Sequence, residues 1–467
     1  MSWRIATRRR REVVFAQVFP GRARARLRFS VHLTLLLVYA AAAAPAARAA
    51  PDCAGPRLGY DYPIVLKGVP VLRGQSVGRF AAFRRVAAGP AAARWERVAV
   101  QVDEVNAHGD FVLAEGLPFT RGTDDGIFDD NDEIVFDGAA LGDDFVEADV
   151  PPELRGVTRW HAGFCRAGHR LGDLLVVNSA VLPPWRGPAQ VRFDAKAGEV
   201  SSDLYDYKFS PGNPVLLGEV LLRHGAAASP VISSTSFLMP LETPFYMPNM
   251  TVRDADFTSS IESWQSGPLR TIVAVGVKYS AFLSLFKLHL FSELVFYRNR
   301  FEIPTVIEFI FDPSRFLAPG SGLAYSLRFP PGHAWEIESN LAALPAKDAD
   351  ELVESGPRAT SVDSFYAKGS RPEGSFLVQV RVDPKARAQV PPPFLLREAD
   401  FRSEALAEHW PWLRKIPGDL GVYLDFSQIR KGVYDFGLDL LLSPKAHESF
   451  TDYGSVDSHW QVLPSRK

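Results

Sequence analysis

The stretch FLSLFKLHLFSELVFY, residues 282–297, limits the fold more than any other part of the chain. A strand points successive side chains to opposite faces. Here Phe282, Phe286, Leu288 and Leu290 share one face, and Leu283, Leu285, Phe291 and Val295 share the other. A strand apolar on both faces belongs between packed layers. GPLRTIVAVGVKY (267–279) precedes it, and an Arg298-Asn299-Arg300 turn leads to FEIPTVIEFIF (301–311). The pattern predicts two large antiparallel sheets packed face to face. A membrane β-barrel also uses long aromatic strands, but it needs a polar lumen face, which this segment lacks.

Shorter strands between turns fill residues 60–178, among them YPIVLKG, ERVAVQVDEV, DEIVFDG and GDLLVVNS. VLPPWRGPAQ (181–190) is rich in proline and glycine and reads as a boundary. The expected fold is therefore all-β: a smaller N-terminal β domain over 50–185 and a large, supersandwich-like β-sandwich over 186–467. SEALAEHWPW (403–412) has a serine cap signal and is the clearest helix, ended by Pro411.

Residues 1–49 read as a cleaved export signal, with a membrane anchor as the alternative. Arg22, Arg24, Arg26 and Arg28 precede the apolar VHLTLLLVYA (31–40), and Ala47-Arg48-Ala49 offers a small-x-small cleavage site. A periplasmic or secreted protein beginning at Ala50 is expected. Losing ten arginines and one glutamate takes the formal charge from −2 to −11. Such a surface repels phosphate backbones, which argues against nucleic acid as a partner. No later segment reaches about eighteen uninterrupted apolar residues, so no stable transmembrane segment is expected after cleavage. Cys53 and Cys165 either form a bridge or stay as two buried thiols, and an oxidising compartment favours the bridge.

RGTDDGIFDDNDEIVF (121–136) concentrates carboxylates around Gly126. Such a cluster repels itself unless it is solvated or neutralised by a cation. With Gly126 at the sixth place of a calcium loop, Thr123 and Asp125 fall at positions three and five. Ile127 falls at seven (through its carbonyl), Asp129 at nine and Asp132 at twelve. Arg121 departs from the pattern at position one, as does Asp132 where a glutamate is usual. Calcium is the expected cofactor, and a solvated acidic turn is the alternative. Asp103 and Glu104, ending the VAVQVDEV strand, either add ligands or form a solvated strand end.

Together these pieces resemble a family of exported bacterial β-rich proteins with no assigned function. Its motifs are a VQVDE-like strand, a D-G-x-F-D-x-x-D-E-[IL]-V-F loop, a G-P-[LV]-R strand and a Y-x-N/D-x-F-E-[IL]-P-T-V-I hairpin. Here they fall at 100–104, 125–136, 267–270 and 297–307, within residues 98–312. The second half is also similar to the supersandwich of mutarotase-like and polysaccharide-lyase proteins, in which a G-P-x-R strand precedes long paired strands. That second likeness is architectural, and architecture does not carry function.

No G-x-S-x-G, H-E-x-x-H, C-x-x-C or Walker loop is present. His161, Cys165 and His169 stand four apart, but Gly163 and Gly168 break any helix that would align them as metal ligands. A lyase needs a cation to neutralise a uronate and a Tyr or His to move the proton; Arg270, His289, Tyr297 and Arg298 are candidates. Trp264, Trp335, Trp410 and Trp412 are either sugar-stacking platforms or core. The expected role is binding or structural, toward an envelope component or an extracellular glycan. The alternatives are a polysaccharide lyase or glycoside hydrolase, and an envelope scaffold with an exposed apolar patch.

Overall fold

The computed structural model describes residues 53, 55–87, 93–107, 109–117, 125–225, 227–242, 249–281, 286–309, 312–315, 317–332, 334–344, 365–450 and 453–464. Side chains of 279–291, 305–309 and 313 lie outside that description, as do the leader, Arg121 and Thr123. Strands make up 52% of the chain against 12% helix, so the fold is all-β. No helix among the described residues is long and apolar enough to cross a membrane.

A nine-stranded sheet forms the spine. Its centre is the hairpin of Arg270–Ala281 and Phe286–Tyr297, paired antiparallel from Arg270↔Tyr297 to Ala281↔Phe286. Arg300–Phe309, Gly432–Ser443 and Gly374–Val382 continue it on one side, and Phe257–Ser266 on the other. Against one face pack a six-stranded sheet, which includes Ser234–Leu241, Gly322–Arg328 and Leu420–Asp425, and a five-stranded sheet spanning residues 191–232. Val273, Val275, Leu294, Phe296 and Phe301 point into this core. Tyr207, Phe209, Phe296 and Phe301 interlock there edge-on or tilted, with centroids 4.8–5.9 Å apart in the pairs Tyr207–Phe296 and Phe209–Phe296.

The opposite face of the same strands is covered as well. Ile272, Ala274, Val295 and Tyr297 pack against Val105, Phe111, Leu113 and Val135 from the N-terminal part. The described half of the doubly apolar strand therefore lies between two layers, Leu294 and Phe296 facing one and Val295 and Tyr297 the other. Full burial of side chains of this size stabilises by about 1.5–3 kcal/mol each.

The N-terminal part holds a three-stranded sheet (Pro63–Lys67, Glu133–Asp137, Val100–Asp103) and a second five-stranded sheet. In the latter, Thr158–Arg166 pairs with Asp457–Val462 from the chain's end, and Glu115–Gly116 joins the nine-stranded sheet through Ser263 and Trp264. Two strand pairings thus cross the boundary drawn at residue 185. The helix expected at 403–412 is Glu404–His409, its N-terminus capped by the Ser403 hydroxyl, which accepts from Leu406 N at 3.2 Å. Pro411 then begins a short 3-10 turn, Pro411–Lys415.

Candidate functional site

Several sequence motifs converge on one guanidinium. Arg270 is 1% exposed; its Nε donates to Asp103 Oδ2 at 2.7 Å, one NH2 to Glu133 Oε2 at 2.8 Å and the other to the Tyr297 hydroxyl at 2.9 Å. Phe111 and Tyr297 present their ring faces at 5.1 and 5.7 Å. Burial works against the charge, but Tyr297, Asp103 and Glu133 raise the Arg270 pKa well above its usual value. Gln101 completes the cluster. Its carbonyl oxygen accepts from Leu269 N and Arg270 N at 3.0 and 2.9 Å, and its amide donates to Asp103 at 2.9 and 3.0 Å. A Cβ at Gly267 would occupy the space of the Gln101 amide, so a side chain there would displace it. The VQVD strand, the EIVF strand, the GPLR turn and the hairpin tyrosine thus share one buried ion-pair network. Asp103 is not a solvated strand end, because Arg270 faces it across the layer interface.

The acidic loop is tied down by backbone groups. Asp132 is fully buried; Oδ1 accepts from Val105 N at 2.8 Å and Oδ2 from Asp129 N at 3.0 Å. Asp125 accepts from Ile127 N at 2.8 Å and Asp129 from Asn131 N at 2.9 Å, two Asx turns. Glu104 does reach the loop, accepting from Gly126 N at 2.7 Å, and Gly126 has φ +75°, which favours glycine. Phe128 is buried beneath, while Ile127 is partly exposed. Among the described residues no three carboxylates of this loop come within 4.8 Å of one another, and Thr123 lies outside them. Burial pushes Asp132 up to about 6, against its two N–H donors and with help from the Asp129 and Glu104 charges.

Cys53 and Cys165 form a disulfide, with Cα atoms 5.9 Å apart. His161 and His169 lie on the paired strands Thr158–Arg166 and His169–Asn178, and His161 Nε2 sits 3.1 Å from Asp173 Oδ2. Of the lyase candidates, Arg270 and Tyr297 meet. Arg298 is instead bound to Asp203 at 2.7 Å near the surface, and the His289 side chain lies outside the description. Trp410 and Trp412 are core, packed on Tyr423. Trp264 is half-buried, its indole donating to Glu115 at 3.0 Å. Trp335 is half-buried, with the Arg371 guanidinium 4.5 Å from its ring centre.

Three depressions gather charged or aromatic side chains. A cleft of about 180 Å³ adjoins the buried network, lined by Glu133, Arg270, Glu293, Tyr297, Glu302 and Arg381 among others. A second, of about 660 Å³, is walled by Trp185, Trp264 and Phe193. The widest of the three, about 1290 Å³, is bounded by residues 328–337, 397–402 and 413–420. Five cations line it (Arg328, Arg397, Arg402, Arg414 and Lys415) against two carboxylates, Glu398 and Asp419. Phe329, Trp335 and Phe401 supply apolar wall. Arg402 pairs with Glu398 at 2.6 Å and Arg414 with Glu404 at 2.5 Å, whereas neither Arg328 nor Arg397 has an acidic partner among the described residues. Asp419 accepts from Phe329 N at 2.7 Å and belongs to the wall.

No protein-family model matches the chain, and no curated protein matches it. Among solved structures it is similar to an α-mannosidase from Enterococcus faecalis V583, at 10% identity and TM-score 0.41 over 86% of this chain and 45% of that one. A glycosyl hydrolase family 38 protein from Enterococcus faecalis matches at 9% identity and TM-score 0.41, over 88% and 47% of the two chains. A putative aldose 1-epimerase from Escherichia coli K12 matches at 8% identity and TM-score 0.26, over 52% and 97%. The chain thus spans about half the length of the first two. At these identities and TM-scores the likeness carries no argument about function.

The basic cleft escaped sequence reading because its cations come from three separated segments. Whole-chain charge averages them away. LREADFR (396–402) and LRKIPGD (413–419) are the local signal.

Proposed function

We propose that this is an exported β-sandwich protein that binds an acidic polysaccharide of the envelope or extracellular matrix in the basic cleft. The observation that carries the reading is that Arg328 and Arg397, exposed and without an acidic side-chain partner among the described residues, stand beside an aromatic wall. An unpaired guanidinium fork suits a carboxylate or sulfate bidentately. Phe329, Trp335 and Phe401 offer apolar surface to the C–H faces of sugar rings. A volume of about 1290 Å³ exceeds the roughly 300–1,000 Å³ of small-molecule pockets, which suits an extended chain. Turnover of such a polymer is the second reading. Its support is the charged cleft beside Arg270, which gathers a tyrosine, two arginines and carboxylates. Arg270 is already neutralised there by Asp103 and Glu133, which fits an anchor better than a reacting group.

Reversing both cations, Arg328→Glu with Arg397→Glu, should weaken binding to a uronate polymer by about 100-fold or more. Each charge-assisted hydrogen bond is worth about 1.5–3 kcal/mol. Both side chains are exposed, so the melting temperature should stay within a few degrees of wild type. Unchanged affinity in the double variant, by titration calorimetry, would remove the cleft from the account.

A further inference from the structure

We propose a second site, independent of the glycan cleft: once the disulfide is reduced, Cys53, Cys165 and His459 bind a soft divalent metal such as zinc. An imidazole nitrogen of His459 lies within 4.8 Å of both disulfide sulfurs, so opening the S–S bond leaves three donor atoms within reach of one ion. The fold builds this arrangement. The strand Asp457–Val462 pairs with Thr158–Arg166 so that His459 stands opposite Gly163, two residues before Cys165 on the same face. Any side chain at Gly163 would collide with the His459 ring, so the glycine lets the imidazole lie flat over the strand.

A second observation points to a ligand. His459 Nδ1 is buried and has no hydrogen-bond partner among the described residues, and a polar nitrogen in that state ordinarily finds one. His161 sits edge-on to His459 at 5.5 Å, and its Nε2 lies 3.1 Å from Asp173 Oδ2, so a held ring packs against the imidazole. In the oxidised protein the sulfurs are spent on each other. Opening the site takes two electrons and two protons, delivered by a dithiol that is itself oxidised to a disulfide; metal binding then displaces the two thiol protons.

Cobalt titration of the whole chain, reduced with a phosphine and freed of it under anaerobic conditions, tests this. One cobalt per chain with a thiolate-to-cobalt charge-transfer band, displaced by zinc, is expected, and the oxidised chain should show no band. His459→Ala should lose more than the roughly 10–100-fold in affinity that removing an outer partner costs. His161→Ala, which changes no ligand, should keep the band. Absence of the band in reduced protein whose circular dichroism is native would overturn the site. So would equal affinity in His459→Ala, or a band that survives in urea, where two thiols bind without the fold. Reduced protein that unfolds in buffer and binds no cobalt overturns it as well.

Discussion

Replacing Arg270 by alanine is expected to destabilise the protein by about 3–5 kcal/mol, the usual consequence of removing one partner of a buried ion pair. Asp103, at 1% exposure, and Glu133 would be left in the layer interface with no cation. The Tyr297 hydroxyl would lose its donor, and the Gln101 amide would hold a carboxylate that nothing neutralises. Arg270→Lys should recover only part of the loss, since one ammonium does not reproduce a planar fork reaching two carboxylates and a phenol. Neutralising the whole cluster, Arg270→Met with Asp103→Asn and Glu133→Gln, should be milder than Arg270→Ala alone, because the cost lies in orphaned charge. Urea unfolding at pH 7 measures all three. A loss below about 1 kcal/mol in Arg270→Ala would mean that the network does not join the layers.

Asp132 makes the second large prediction, through pH. Its carboxyl is raised from an ordinary 3.8 to about 6 by burial. A raised acid favours the protonated folded state, so its contribution is fully present below about pH 4 and is lost as pH rises through 6. At about 1.36 kcal/mol per unit, a shift of that size is worth about 3 kcal/mol. Asp143 and Asp173 are lowered and trend the other way, so the quantity to measure is a difference. The stability of wild type relative to Asp132→Asn should fall by up to about 3 kcal/mol between pH 4 and pH 7 in chelator. Calcium on this loop would favour the ionised carboxylate and flatten that fall, with wild-type stability at pH 7 growing with the calcium concentration. The same curve with calcium and with chelator would mean that the loop is held by its backbone bonds alone.

The two-faced strand announced the layered β architecture because burial on both sides is written directly into alternate residues. The cysteines were legible for a similar reason, since two of them in a chain with an expected export signal have few alternatives. The meaning of VQVDE was not. Val98, Val100 and Val102 alternate with Ala99, Gln101 and Asp103, yet Gln101 and Asp103 are the more deeply buried, because a cation 167 residues away faces Asp103. Polar residues can line a buried face when a long-range partner satisfies them, and no local pattern reports that partner. The same blindness hid Arg328 and Arg397, brought to one cleft by Gly322–Arg328 and Phe394–Arg397, two strands of the six-stranded sheet. It also hid His459, which only strand pairing brings to Cys165.

The most direct test of the glycan-binding account is equilibrium binding of wild-type protein to a uronate oligosaccharide and to a neutral oligosaccharide of equal length, at two salt concentrations. The account predicts binding to the acidic chain alone, weakening as salt screens the cleft, with the oligosaccharide recovered at its original length. Equal binding of both chains, or of neither, would contradict it. An acidic chain recovered shortened would move the protein from binder to enzyme.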